Sequence, residues 1–289
     1  MSQFRFIKQV VALFAIIMQV QLVLGASVTI NTSGNWTASA PSLSNGDALF
    51  FSGSNGTSTN NFAPANLTSI SGLTFNPTVT GNYSVNANGL SIGNPSVTTG
   101  ATYQNLVQSL QAVGTAIGSS WTVGDTGYVA NSSNYTHSLG NFTITNNSLL
   151  VVDGSSNTIF SGISTSGSNS TYLAKIGSGN LTIAGDLTVA RIAISGGAIS
   201  VPTSGYLHNP SFNFDDNNII GVGINGNGTL NLDGGTILIR DLGISYNGTG
   251  VVNVSSGTLN VRNDLSVGEN GGTGILNQSG GIIQIGDDL

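Results

Sequence analysis

The feature that most constrains the fold is a threefold repeat in the last third of the chain. The segment that begins at Asn227, NGTLNLDGGTILIRDLGISYNG, recurs from Thr249 as TGVVNVSSGTLNVRNDLSVGENGG and from Thr273 as TGILNQSGGIIQIGDDL. The offset is 22 residues and then 24, because single residues are inserted at Asn263 and Gly272. A repeat of this length cannot bury its apolar face until a neighbouring repeat packs against it. The pattern therefore predicts a solenoid.

Apolar residues occupy matching positions in the three repeats and alternate with polar residues within each one. Alternation with a period of two marks short strands with one buried face. The matching sets are Leu230, Val252 and Leu276; Ile237, Leu259 and Ile283; Ile239, Val261 and Ile285; and Leu242, Leu265 and Leu289. We therefore predict an all-β fold, a right-handed parallel β-helix (β-solenoid) whose neighbouring coils lie about 4.8 Å apart.

The first 26 residues have the composition of a secretory signal peptide. Arg5 and Lys8 precede the apolar stretch from Val10 to Leu24, and the small residues Gly25 and Ala26 follow it. The longest uninterrupted apolar run has only nine residues, whereas about 20 are needed to span a membrane. We expect cleavage after residue 25 or 26 and export to the medium or the cell surface, in association with an outer membrane, with no membrane-spanning segment left afterwards.

Composition excludes several classes of function. Charged residues make up only 6% of the chain, and Gly, Asn, Ser and Thr fill the gaps between apolar residues, as in turn-rich β proteins. Without the signal peptide, four basic and twelve acidic residues remain, which argues against nucleic acid as a partner because phosphate neutralisation needs clustered Lys and Arg. The chain has no cysteine, so disulfides and Cys-ligated metals are excluded.

The chain after the signal peptide divides into three parts. Residues 27–100 carry short apolar strands at irregular spacing, and we expect them to form irregular N-terminal coils that cap the solenoid. Residues 101–120 are predicted to contain one short amphipathic helix, because apolar residues recur there at intervals of three and four. These are Tyr103, Leu106, Val107, Leu110, Val113 and Ile117. Residues 121–289 are predicted to form the regular solenoid, which we expect to be truncated, because the third repeat stops at Leu289 before the strand corresponding to Ser266–Gly268.

The run LAKIGSGNLTIAG, residues 173–185, resembles the L-x-K-x-G-x-G-x-L-x-L-x-G signature of autotransporter-associated β-strand repeats, with Ile183 in place of the last leucine. The segment from Gly221 is similar to the related G-x-G-x-L-x-x-x-G-G repeats of exported bacterial proteins. These resemblances imply a non-enzymatic passenger or scaffold of an autotransporter-like surface protein. Surface glycans or extracellular matrix would then be the partners in adhesion.

Acidic and basic side chains come close in sequence at two places, where Asp186 lies near Arg191 and where His208 lies near Asp215 and Asp216. Polysaccharide lyases and hydrolases with a β-helix fold use two carboxylates, or carboxylate-bound calcium with a cationic base. Capping of turns accounts for the three aspartates equally well. We therefore predict no catalytic residue and no cofactor, and keep a carbohydrate-active enzyme as the alternative.

Two polar columns run through the three repeats. One is formed by Asn231, Asn253 and Asn277, which we predict to be a hydrogen-bonded side-chain ladder instead of a ligand-facing strip. The other is formed by Asp241, Asp264 and Asp288. Like charges stacked about 5 Å apart repel by about 1 kcal/mol per pair in water, so either the turns separate them or a cation lies between them. We assign no metal ligand, but a calcium-stiffened structural protein is a further alternative.

Overall fold

The computed structural model describes residues 27–287 except 31–33, 40, 46, 52–55, 60, 61, 63–65, 68, 71, 76–82, 87–90, 93–119, 124, 125, 133–135, 167–170 and 210–218. The predicted signal peptide, residues 101–119 of the predicted helical segment, Asp215, Asp216, Asp288 and Leu289 lie outside the described residues. The described chain contains 26 strands and a single helical turn, α1 (Trp36–Ser39).

The described strands form three sheets, numbered here with their strands in chain order. Sheet 1 contains β1 (Ser27–Ile30), β3 (Ala48–Phe51), β6 (Gly72–Phe75), β10 (Thr126–Asn131), β12 (Leu149–Asp153), β14 (Tyr172–Lys175), β17 (Arg191–Ile194), β20 (Ile219–Ile224), β22 (Asp241–Tyr246) and β24 (Leu265–Glu269), in this order. Sheet 3 contains only β2 (Gly34–Asn35), β4 (Gly56–Thr59) and β7 (Tyr83–Asn86).

Sheet 2 is the largest of the three. Its strands are β5 (Ser69–Ile70), β8 (Ser91–Ile92), β9 (Ser120–Val123), β11 (His137–Thr145), β13 (Thr158–Ser166), β15 (Asn180–Ile183), β16 (Asp186–Thr188), β18 (Ala198–Pro202), β19 (Tyr206–His208), β21 (Asn227–Ile239), β23 (Thr249–Val261), β25 (Thr273–Gln278) and β26 (Ile282–Ile285). Every strand pairing that the structure describes is parallel.

One coil has three sides. Side 1 is a strand of sheet 1, and the chain then passes twice through sheet 2, giving sides 2 and 3. In the long strand β23, residues 249–254 pair with β25 on side 2 and residues 258–261 pair with β26 on side 3. Coils nearer the N-terminus use separate strands for these two sides, such as β15 for side 2 and β16 for side 3. The predicted parallel β-solenoid is confirmed.

The side chains that point inward from the three sides form one hydrophobic core. Leu242 of side 1, Leu230 of side 2 and Ile237 of side 3 are at most 1% exposed. The strand register places Leu230 on Val252, Ile237 on Leu259, Ile239 on Val261 and Leu242 on Leu265. These are the predicted apolar columns, so the repeat and the coil coincide.

A second apolar cluster lies on the outward face of sheet 1. Both faces of β12, β14, β17 and β20 are buried over most of their length. The outward members include Leu149, Val151, Tyr172, Ala174 and Ile219. Strands buried on both faces are near-continuous apolar runs instead of alternating ones, as in the segments LLVV and IIGVGI.

The corners between sides are built from residues with left-handed backbone geometry, stacked one coil upon the next. Between sides 1 and 2, Asn225, Asn247 and Asn270 have φ of 52°, 53° and 50°, a conformation that asparagine tolerates. Between sides 2 and 3, the residues are Gly234, Gly257 and Gly281, with φ of 107°, 88° and 69°. The positions that require special backbone geometry thus recur at the repeat interval.

Gly257 also lies against the backbone of the preceding coil. A Cβ placed on Gly257 would lie 2.2 Å from the carbonyl oxygen of Gly235, whereas one on Gly271, at φ 79°, would meet nothing within 4 Å. Left-handed geometry costs a non-glycine residue about 1–2 kcal/mol. Gly271→Ala carries that backbone cost alone, and Gly257→Ala adds the steric conflict between coils.

We therefore expect Gly271→Ala to lower the free energy of unfolding by about 1–2 kcal/mol and Gly257→Ala to lower it clearly more. Urea unfolding followed by circular dichroism measures both variants against the parent chain. Equal losses for the two variants would contradict the close approach of coils at this corner.

Candidate functional site

The structure places Asp186 and Arg191, which come close in sequence, on different sides of the coil, and Asp215 and Asp216 near His208 lie outside the described residues. Asp186 begins β16 on side 3, whereas Arg191 begins β17 on side 1. The buried Arg191 guanidinium donates a hydrogen bond to the Tyr172 hydroxyl at 3.0 Å, and its Cζ atom lies 5.1 Å from the centre of the tyrosine ring. Arg191 therefore packs in the outer apolar cluster of sheet 1, on a different side of the coil from Asp186.

The structure instead brings Asp186 to His208, which lies one coil further along. Asp186 pairs in register with Tyr206, and Thr188 pairs with His208. The Nε2 atom of His208 lies 3.0 Å from Oδ1 of Asp186 and 2.9 Å from Oγ1 of Thr188. The Asp186 side chain is 65% exposed and that of His208 is 18% exposed. We call Asp186, Thr188, Tyr206 and His208 the Asp–His patch.

Packing on both sides of the strand holds the Asp–His patch in place. The rings of Tyr206 and His208 stack with their centres 4.6 Å apart and their planes 19° apart. Leu187 and Leu207, which alternate with the patch residues, are fully buried in the core. The patch is therefore a rigid part of the outward surface of side 3.

The hydrogen bonds of His208 limit its chemistry. Its Nδ1 atom lies 3.2 Å from the carbonyl oxygen of Asn209. In a nucleophilic triad the acid and the nucleophile contact opposite ring nitrogens. Here Asp186 and Thr188 both contact Nε2. The arrangement does not activate Thr188 as a nucleophile, and it favours a role in binding or stability.

Asp186 is the one carboxylate on the described outward face of side 3. Its column along the solenoid continues through Tyr206, Thr236, Thr258 and Ile282. The neighbouring column contains Thr188, His208, Leu238, Asn260 and Gln284. Hydrolysis of a glycosidic bond uses two carboxylates about 5–9.5 Å apart, and these described columns supply only one of them.

The asparagine column is a continuous hydrogen-bonded ladder, as predicted. The side-chain amide of Asn277 donates to Asn253 at 2.9 Å, and that of Asn253 donates to Asn231 at 2.9 Å. The ladder continues from Asn231 to Ser200 at 3.3 Å and from Ser200 to Asn180 at 3.1 Å. All these bonds run in one direction along the solenoid, so the column fixes neighbouring coils to each other.

Asp241, the first member of the aspartate column, is contacted by N–H donors. One oxygen of Asp241 lies 3.1 Å from the Arg240 guanidinium, and the other accepts from the side-chain amide of Asn263 at 2.8 Å and from the backbone N–H of Asp264 at 3.3 Å. These donors offset part of the like-charge repulsion at Asp241. Within the described residues no three His, Asp or Glu side chains gather as metal ligands.

A buried lysine was missed by sequence reasoning about sites. Lys175 is 1% exposed and lies in the inward column between Val152 and Ile194. Its Nζ donates to the carbonyl oxygens of Ile176 and Gly177 at the corner. In the sequence of β14, the alternation of inward and outward residues puts Lys175 at an inward position, where an apolar residue would be expected.

The signature run that includes Lys175 follows the shape of the coil. It covers β14, the corner and β15, with Gly177 at φ 64° and a Cβ on Gly179 placed 2.1 Å from the carbonyl oxygen of Ser156. No family model, curated protein or solved structure matches this chain, so its membership of the autotransporter-associated repeat family stays a prediction. Among the described residues, no helix has the length and apolar character to span a membrane.

Burial lowers the pKa of Lys175 from its ordinary value of 10.5 to about 8, and the charge of Asp153 opposes this shift. Between about pH 8 and 10.5 the unfolded chain therefore binds more protons than the folded chain, so stability rises with pH in this window. In Lys175→Met this rise in the free energy of unfolding, on the order of 3 kcal/mol, is absent. Urea unfolding at pH 8 and 10.5 compares the two proteins, and an equal rise in both would contradict the assignment.

Proposed function

We propose that this chain is an exported, non-enzymatic passenger or scaffold of an autotransporter-like surface protein, and that its coils present an elongated surface for adhesion or matrix contact. The observation that supports this best is the side-chain ladder from Asn180 to Asn277. Five successive coils are tied in register by it. Such a surface is stiff and regular along its length, as a surface for extended partners needs to be.

The chemistry of the described surface also supports binding over catalysis. Hydroxyl and amide groups occupy most outward positions of sides 2 and 3, and they bond to one another between coils, as Thr143 and Ser164 do at 3.1 Å. The histidine of the Asp–His patch contacts acid and hydroxyl through one nitrogen. These features favour a partner held by many weak polar contacts.

A carbohydrate-active enzyme is the second candidate, and the pairing of Asp186 with His208 is the observation in its favour. An exposed carboxylate beside a histidine is a possible acid–base pair. The missing element among the described columns of side 3 is a second carboxylate. Asp215 and Asp216, which follow His208 in sequence, lie outside the described residues.

Residues 27–289 produced as one chain separate the two functions. Pull-downs with cells, matrix proteins and matrix glycans measure adhesion, and release of reducing or unsaturated sugars from pectin-like and other acidic glycans measures catalysis. We expect binding without sugar release. If the chain failed to bind and released sugars, and if Asp186→Ala or Asp215→Ala abolished this release, the enzyme hypothesis would replace the scaffold hypothesis.

A further inference from the structure

We propose that the Asp–His patch is a binding subsite for an uncharged pyranose unit of a linear glycan that lies along side 3. The inference rests on the proposed adhesive function and adds to it the position of the subsite and the class of ligand. Recognition of such a sugar needs an apolar surface for its C–H face and fixed polar groups for its hydroxyls. The patch and the adjacent Leu238 combine the two within three neighbouring coils.

The polar contribution comes first from Asp186. Oδ1 of this carboxylate contacts His208, and the Asp186 side chain is 65% exposed. A carboxylate accepts up to about four hydrogen bonds, so Asp186 retains the capacity to accept from adjacent sugar hydroxyls. The imidazole holds this carboxylate in one position, which lowers the entropy lost on binding.

The apolar contribution comes from Tyr206 and its neighbour Leu238. The Tyr206 ring is half-buried, stacks on His208 and lies in register between Asp186 and Thr236. Leu238 follows His208 in the adjacent column and is also partly exposed. An aromatic ring with a polar hydroxyl supplies contact area at small entropic cost. A carboxylate, an aromatic ring and an aliphatic side chain thus lie at neighbouring outward positions of side 3.

The charge of the patch selects for an uncharged ligand. Of its four residues, Asp186 carries a carboxylate, and none is a Lys or Arg that would attract an acidic glycan. Along the solenoid axis the neighbouring column continues with the amides of Asn260 and Gln284, which bond to each other at 3.0 Å. A glycan that follows this column therefore meets polar, uncharged groups. An acidic glycan would bring carboxylates towards the exposed Asp186 and towards a chain of formal net charge −6.

The test uses residues 27–289 on an array of uncharged linear oligosaccharides (glucan, mannan, xylan and chitin types), with pectin and hyaluronan oligosaccharides as acidic counterparts. Affinity for each positive glycan is then measured by calorimetry. Asp186→Asn keeps the shape of the side chain and removes its charge, Tyr206→Ala removes the ring, and Tyr206→Phe keeps the ring. Thr229→Ala, on the outward face of side 2, is the matched control, and circular dichroism melting checks that each variant is folded.

We expect binding to at least one uncharged glycan in preference to the acidic ones. We expect Asp186→Asn and Tyr206→Ala each to weaken it about tenfold or more, Tyr206→Phe to retain more affinity than Tyr206→Ala, and Thr229→Ala to bind as the parent does. Absence of uncharged-glycan binding by the parent chain, or unchanged affinity in both patch variants, would overturn the subsite. If the parent chain still bound cells or matrix proteins in that case, the proposed adhesive function would stand without it.

Discussion

The structure depends on the parallel, in-register stacking of each coil on the one before it. A single coil has three short sides and few internal contacts, so its amides and its apolar side chains find partners only in neighbouring coils. The register that pairs Asn227 with Thr249 and Thr249 with Thr273 aligns the equivalent strand positions, apart from a shift at Asp233, which pairs with Ser256. The same alignment produces the core columns, the left-handed corners and the amide ladder. A change at one coil therefore acts first on its two neighbours.

The repeat in the last third was sufficient to predict the core and the asparagine ladder, because equivalent residues must coincide when the coil and the repeat have the same length. Residues that differ between coils could not be placed in this way. Asp186 and Tyr206 are 20 residues apart, whereas Tyr206 and Thr236 are 30 apart, since a longer connection precedes Ile219. Without the register, the contact between Asp186 and His208 could not be deduced, because the basic residue closest to Asp186 in sequence is Arg191.

Two other features escaped prediction for a different physical reason. The alternation of polar and apolar residues assigns one buried face to each strand, so it does not foresee the second apolar cluster outside sheet 1. It also assigns charged residues to the solvent. Lys175 contradicts that rule because its long side chain buries its methylene groups in the core while Nζ reaches carbonyl oxygens at the corner. The outcome depends on the local supply of acceptors, which composition does not reveal.

The central claim is the in-register parallel stacking of coils, and a cysteine-free chain allows it to be tested directly. Val251 and Ile275 are register partners on the outward face of side 2, and Asn277 lies two residues beyond Ile275 on the same face. Disulfides form between residues whose Cα atoms are about 4.4–6.8 Å apart. Under native oxidation, we predict that a chain with Val251→Cys and Ile275→Cys forms an intramolecular disulfide. A chain with Val251→Cys and Asn277→Cys is predicted not to form one. Mass spectrometry detects the disulfide as the loss of two hydrogens. Equal crosslinking of both pairs, or crosslinking of the second pair alone, would contradict the stacking described.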